Sequence, residues 1–280
     1  MYKKAYGIIE TLAPLHVGAT AGEESGNLNL IFRDQFTQTG IIPGSSIRGR
    51  LKADMRLSDE ENGEEEASYW YGRESESRQT NTTTESIIKL EHASIVWLPV
   101  FCPGQPIVWV SCPRLLMRYQ RIAGDDVKIN GKSLKDEKIP ELYTASKELK
   151  ARESKDKKFK GKKFLFFNLG FLTIEHEQDL SCWFPLEKPM PAVVVADTDI
   201  GMIHDMALYR QSRVALDKTE KKVKNGAFFN TEALPEGTIL AFPIGIKKTD
   251  KQWKPLNGDI YLGGLESIGF GHCYLTLKGV

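Results

Sequence analysis

The sequence predicts an α+β fold, an antiparallel sheet backed by helices. Apolar runs of strand length recur from one end of the chain to the other, and only some are followed by a helical stripe. Strands and helices therefore mix without the strict alternation of a parallel α/β fold. Residues 213–229 also alternate on both sides of a polar turn, which is a hairpin signal.

"KKAYGIIETLAPLHVG" reads as a first strand, apolar through Ile8, Ile9 and Leu12, ending at Gly18. A loop of small and acidic residues follows, and "LIFRDQFTQTGIIPG" suggests a short hairpin closing on Pro43-Gly44. From Ser45 the spacing predicts a helix. Ile47, Leu51 and Met55 form an apolar stripe, and Arg48, Lys52 and Arg56 a basic stripe beside it. Residues 58–85 are polar and acidic and read as a solvated loop. "SIIKLEHASIVWLPV" and "PIVWVSC" read as strands of a central sheet, and "CPRLLMRYQRIAG" as a helix with Pro113 in its first turn and Gly124 at its end. "FLFFNLGFLTIEHE" reads as a strand pair, and "PAVVVADTDIGMIHDMALYRQ" as a strand and a helix capped near Thr198 or Asp199. "IYLGGLESIGFGHCYLTLKG" is a glycine-rich loop running into a last strand.

Composition sets bounds on function. The 280 residues suffice for a substantial core, and 38 Lys and Arg nearly balance 37 Asp and Glu. A basic surface must therefore come from segregation of charge. The opening "MYKKAYGIIE" lacks the apolar core of a signal peptide, and no apolar run reaches membrane-spanning length. Four scattered cysteines without a C-x-x-C pair fit reduced thiols in a cytoplasmic protein. Five dispersed histidines give no metal-site spacing, so neither a metal nor another cofactor is expected. Residues 147–163 carry nine Lys or Arg against three Asp or Glu. A solvated insertion is the simpler reading of this stretch, and a basic flap over RNA the sharper one.

Two segments point to anion binding. In "IPGSSIRGR", Gly44 permits a sharp turn, and Ser45 and Ser46 place hydroxyls at a helix start where N–H groups are unpaired. Arg48, Arg50 and Lys52 add charge. Read alone, this fits a Ser-capped helix with a wet basic side equally well. "GGLESIGFG", Gly263 to Gly271, has four glycines in nine residues, which permits close backbone approach to a ligand. A strand rather than a helix follows, so it is no dinucleotide fingerprint.

Together with "LHVG" and "WYG" at Trp70 to Gly72, these motifs resemble the RAMP superfamily of CRISPR proteins. "ASIVWLPVFCPGQPIVWVSCPRLLMRY" and "VALDKTEKKVKNGAFFNTEALPEGTIL" are similar to the backbone subunit of the type III-B (Cmr) effector complex. The resemblance implies an RRM-like, ferredoxin-type core forming a single domain over residues 1–280, with insertions at 58–85 and 125–163. It implies a thumb hairpin at 213–229. Copies would stack head to tail along a guide crRNA that pairs with target RNA, beside other effector subunits and away from membranes. Guide contacts are implied at His16, Gly44, Ser45, Ser46, Arg48, Arg50, Lys52, Arg213, Gly264, Ser267, Gly269 and Gly271.

Active members of the family use a loop Asp for divalent-metal-dependent cleavage, within a pattern near "VDLPIQRE…TGxPxIPGSS". Here that place falls on Leu28 or Asn27, neither a carboxylate. Asn cannot act as a base near neutral pH, and Leu can neither hold a metal nor take a proton. The family's "EEYLP" reads "TEALP" here, which keeps Glu232. The expectation is an RNA-holding subunit without its own cleavage Asp. The alternative is an endoribonuclease using a displaced carboxylate, Glu23, Glu24 or Asp34, with Mg2+ or another divalent ion. A guide-processing endoribonuclease with His16 in acid–base work is a third reading.

Overall fold

The computed structural model describes residues 2–18, 28–73, 84–124, 128–129, 132–154, 161–168, 170–216, 223–255 and 257–280. Its strands are β1 (Tyr2–Thr11), β2 (Leu28–Asn29), β3 (Ile41–Ile42), β4 (Ile88–Leu90), β5 (Ala93–Cys102), β6 (Gln105–Ser111), β7 (Lys128–Ile129), β8 (Lys132–Ser133), β9 (Thr144–Ala145), β10 (Arg152–Glu153), β11 (Lys163–Phe167), β12 (Gly170–Ile174), β13 (His176–Glu177), β14 (Ala192–Val194), β15 (Tyr209–Leu216), β16 (Val223–Ala233), β17 (Ile239–Lys247), β18 (Gly258–Tyr261) and β19 (His272–Lys278). The α-helices are α1 (Gly44–Ser58), α2 (Gly63–Tyr71), α3 (Pro113–Ala123) and α4 (Ile200–Ala207).

An eleven-stranded sheet dominates, in the order β13-β9-β14-β6-β5-β17-β1-β19-β18, with β3 on β5 and β4 on β17. Its pairs are antiparallel except β14 with β6 and β13 with β9. The α+β expectation holds. The strand order does not by itself single out a four-stranded RRM-like or ferredoxin-like core. β1 shows why the middle strands read as apolar runs rather than alternating ones. Ala5 and Ile9 enter one core cluster, with Ile47 and Leu51 of α1 and Trp70 and Tyr71 of α2. Tyr6 and Ile8 enter a second, with Leu116, Tyr119 and Ala123 of α3. Successive side chains point to opposite faces, so a strand covered on both sides must be apolar throughout.

Four local readings change. β17, central to the sheet, was not read as a strand, because Pro243 and Gly245 interrupt "ILAFPIGIK". Pro243 lies between the part paired with β5 (Ile239–Ala241) and the part paired with β4 (Ile244–Ile246), so its missing N–H removes no ladder bond on that side. The supposed loop at 58–85 contains α2. Glu64, Glu65 and Glu66 occupy its first turn, where the helix dipole favours negative charge. Ala67, Trp70 and Tyr71 anchor it in the core. The 30–44 hairpin turns at Asp34–Gln38, with Arg33 bridged to Gly40, and does not close on Pro43-Gly44. Gly44 has no left-handed backbone. It is needed because a Cβ there would come within 2.3 Å of the Leu90 carbonyl oxygen.

The expected hairpin is present as β15 and β16 and extends to Tyr209 and Ala233, beyond the 213–229 read from sequence. The middle of the 147–163 stretch lies outside the described residues, while its ends form β10 and the start of β11. Among the described residues no helix is long and apolar enough to cross a membrane.

The basic stripe of α1 is largely internal. Lys52 is 5% exposed, and its Nζ donates to the Gly72 carbonyl at 2.8 Å. Arg48 donates through Nε to the Tyr71 carbonyl at 3.0 Å, and through Nη2 to the same oxygen. Both cations satisfy carbonyls at the end of α2, where the dipole favours positive charge. The role expected for Lys52, and much of that for Arg48, is thus corrected from RNA contact to helix capping. Replacing Lys52 by Met keeps the packed stem and leaves a buried carbonyl unbound. The expected loss is about 1–3 kcal/mol, read from urea unfolding, with RNA affinity of the folded protein unchanged.

On the other side of the 28–44 segment, α4 holds the chain through His204. Its ring is fully buried, and its Nε2 accepts the Gly40 N–H at 2.9 Å. The neutral ring therefore carries its proton on Nδ1, which has no hydrogen-bond partner among the described residues. Burial, with Arg33 and Arg210 nearby, pushes its pKa from 6.5 down to about 3, and Asp205 opposes this. The folded form resists protonation, so the stability tied to His204 is complete above the unfolded pKa and is lost as pH falls from 6.5 toward 3. Between pH 6.5 and pH 5, wild type should lose about 2 kcal/mol more than His204→Gln, measured as the shift in urea midpoint.

Candidate nucleic-acid interface

The two segments expected from sequence to bind anions meet. β1 pairs with β17 on one side and antiparallel with β19 on the other, Thr11 facing Cys273. The chain leaving β1 and the loop entering β19 therefore emerge at the same end of the sheet. His16 bridges Gly264, the Gly264 N–H donating to the His16 carbonyl at 3.0 Å, and the Gly271 N–H donates to the Pro14 carbonyl at 2.9 Å. Gly263 has φ +77°, and a Cβ there would lie 2.2 Å from the His16 carbonyl oxygen, so only glycine fits. α1 reaches the same loop through Arg50, which pairs with Asp54 at 2.7 Å and lies 4.0 Å from Glu266.

The surface between these elements is smooth. Ser45 and Gly49 are exposed one turn apart on α1, and Ser267 and Gly269 are exposed on the loop. A Cβ on Gly49, Gly264 or Gly269 would meet nothing within 4 Å. A glycine inside a helix costs about 1 kcal/mol relative to alanine, and no packing inside the molecule demands it at Gly49. Close approach by something outside the chain does account for it. Ser46 is half-buried, and neither serine caps α1 through its side chain, which leaves both hydroxyls available. Arg213 lies midway along β15, opposite Phe229.

Beside this surface lies a charged joint that the sequence reading registered only as a retained Glu232. This carboxylate is 3% exposed. Arg33 Nη2 donates to its Oε2 at 3.0 Å, and Arg210 donates to its Oε1 through Nη2 at 3.1 Å and Nε at 3.3 Å. Arg33 also pairs with Asp205 of α4. The Glu232 backbone carbonyl accepts from His16 Nδ1 at 2.6 Å, if that nitrogen bears the proton, and this turns Nε2 toward Gly18. β2 joins the same place, with Leu28 paired to Asn230 and Asn29 to Thr231. Leu28, one of the two residues on which the family's Asp place falls, thus pairs with β16 two residues before Glu232.

The substitute carboxylates fare differently. Asp34 Oδ1 accepts the N–H groups of Phe36 and Thr37 and the Thr37 hydroxyl at 2.8–3.0 Å. Partial burial raises its pKa, but these hydrogen bonds outweigh that and leave it below the usual carboxylate range. It stabilises the 34–38 turn, so its candidacy as a displaced catalytic group is not supported. Glu23, Glu24 and Asn27 lie outside the described residues. Among the described residues no three His, Cys, Asp or Glu side chains converge on a metal position.

Comparison with solved structures places this architecture among known ones. A chain in the cryo-electron microscopy structure of Type III-B Cmr-beta bound to cognate target RNA superposes with a TM-score of 0.72 at 18% identity, covering 98% of this chain and 96% of that one. The crystal structure of oligomeric Cmr4 from Pyrococcus furiosus gives 0.65 at 19% identity, covering 98% of each chain. At such identities the likeness establishes the fold. Comparison with curated proteins returns no match. The family model of the RAMP superfamily matches residues 8–274, nearly the whole chain and both anion-binding segments, and the protein belongs to that superfamily.

Proposed function

We propose that this chain is a crRNA-binding backbone subunit of a type III CRISPR effector complex. Copies stack head to tail along the guide and present it to complementary target RNA. The observation that carries this reading is the meeting of α1 with the Gly263–Gly271 loop around an open, glycine-lined surface. The serine hydroxyls, with glycines that admit close approach, suit a sugar–phosphate backbone and ignore base identity. Such contacts accept any guide sequence. RAMP membership and the likeness to chains of Cmr assemblies support the same reading. The β15–β16 hairpin takes the place of the thumb that would separate guide from target at intervals.

The subunit holds RNA without supplying a cleaving carboxylate. The family's Asp place falls on Leu28 or Asn27, neither a carboxylate, Asp34 is committed to its turn, and Glu232 is clamped by two arginines. Should the subunit cut, Glu23 or Glu24 would have to act with a divalent ion such as Mg2+, in a metal-dependent endoribonuclease.

The binding surface is tested by Gly49→Glu and Gly264→Glu. Both side chains would point into open space, so the fold should hold, and Gly49→Glu should raise thermal stability slightly through helix propensity. Each should weaken crRNA binding about tenfold or more, with no change in base preference, by placing a carboxylate against phosphate. Unchanged affinity in both variants overturns the assignment. For cleavage, the assembled complex with matched target RNA and magnesium should show no cutting that depends on this subunit. Leu28→Asp should introduce it. Cleavage at regular intervals by the wild-type complex, abolished by Glu24→Ala, would establish the endoribonuclease instead.

A further inference from the structure

The other face of the sheet carries a second charged surface. α3 buries Leu116, Tyr119 and Ala123 and presents Arg114, Met117 and Arg121 outward, at i, i+3 and i+7, while Arg118 is half-buried and donates to the Ser94 hydroxyl and the His92 carbonyl. The helix has no acidic residue, and the nearest ones in sequence, Asp125 and Asp126, lie outside the described residues. Two concavities flank it and meet at Arg121. One, of about 660 Å3, is lined by Arg114, Arg121 and Lys135, with Asp197 as its carboxylate. Asp197 is committed, since its Oδ1 accepts the Arg114 backbone N–H at 3.0 Å. The other, of about 450 Å3, is lined by Lys4, Lys89, Arg118 and Arg121, with Glu91 as its carboxylate. In a chain whose formal charge is only +1, this is marked segregation.

Each end of the track has an exposed ring. Phe36 is 73% exposed, at the tip of the turn that Asp34 holds, and the Arg114 guanidinium sits over it, 5.1 Å from the ring centroid. Tyr2, 47% exposed, lines the second concavity at the other end. Neither ring gains much from folding at that exposure.

We infer that α3 forms a second RNA track, distinct from the guide surface around α1, which takes a short single-stranded segment. Its phosphates would meet Arg114, Arg121 and Lys4, and one base would stack on Phe36. An eleven-residue helix is about 16 Å long, room for a few nucleotides. Cations interleaved with rings are the chemistry of sequence-tolerant single-strand binding. An acidic protein segment would use the cations but has no need of an exposed phenyl ring beneath a guanidinium. This inference does not depend on the guide-binding reading, because it concerns other residues on another face.

The test uses the full-length protein and a fluorescent twelve-nucleotide oligouridine, titrated at several salt concentrations, in a Gly264→Glu background that disables the first surface. Arg121→Ala with Lys4→Ala should weaken binding and reduce the log–log salt slope by about 1.4, at about 0.7 per lost phosphate contact. Phe36→Ala should cost about tenfold, and Phe36→Trp should restore affinity. Photocrosslinking from 4-thiouridine should map to Phe36. Unchanged affinity and slope in the Arg121 and Phe36 variants, with crosslinks confined to the α1 face, overturn the proposal. Intact RNA binding with loss of self-association on sedimentation, reproduced by charge reversal of Glu60, Glu61 and Glu65, exposed carboxylates just before and at the start of α2, assigns the face to a second copy of the chain and overturns it equally. Loss of guide binding in Gly264→Glu alone bears only on the first surface.

Discussion

The antiparallel pairing of β1 with β19 is the constraint from which the rest follows. It binds the first strand of the chain to the last, with Tyr6 opposite Lys278 and Thr11 opposite Cys273. Because the pairing is antiparallel, the exit of β1 and the entrance of β19 share one end of the sheet. Residues 12–18 and 262–271 must then run side by side. The His16–Gly264 bridge, the close approach at Gly263 and the reach of Arg50 toward Glu266 complete a meeting already imposed by the ladder. A site assembled from chain ends roughly 250 residues apart in sequence thus rests on backbone hydrogen bonds, the least substitutable interactions available.

The clamp on Glu232 fixes the other half of the site. Burying a carboxylate is costly unless it is paired and hydrogen-bonded, and here two guanidiniums reach both oxygens. Such a network is weak evidence for stability and better evidence for registry. Arg33 comes from the 28–40 segment, Arg210 from β15 and Asp205 from α4, so three elements are held to one point on β16. Shifting β16 by one residue would turn Glu232 to the opposite face and leave both arginines unmatched. The same shift would move the carbonyl that holds His16. The clamp therefore couples the position of the hairpin to the orientation of the histidine that bridges to the Gly263–Gly271 loop.

Much of this was legible in the sequence, for identifiable reasons. α3 was read within one residue, because Pro113 and Gly124 punctuate a clear stripe. The hairpin was read from alternation, and the two anion-binding segments from serine, glycine and position. Periodicity placed Arg48 and Lys52 on the stripe beside the apolar one, and that is correct. It could not say that α2 packs there, because acidic residues at the start of α2 disguised that helix as loop. β17 was hidden by a proline whose tolerance depends on which partner strand lies opposite. The glycines show the same limit. Gly263 and Gly264 are adjacent and identical in sequence, yet one is packed against a carbonyl and the other faces open space.

That last contrast bears on whether the protein holds RNA or cuts it. Holding needs donors and room, and the α1–loop surface has both. Cutting needs a carboxylate with oxygens still able to take a proton or a metal ion. Asp34 accepts three hydrogen bonds on one oxygen, and Glu232 meets guanidinium groups on both. These are the bonds that fix the turn at 34–38 and the base of the hairpin, so neither group could be released without loosening the scaffold beside the α1–loop surface. Asp34 and Glu232 are thus committed to building the site. A cleaving role would then fall to Glu23 or Glu24, which lie outside the described residues.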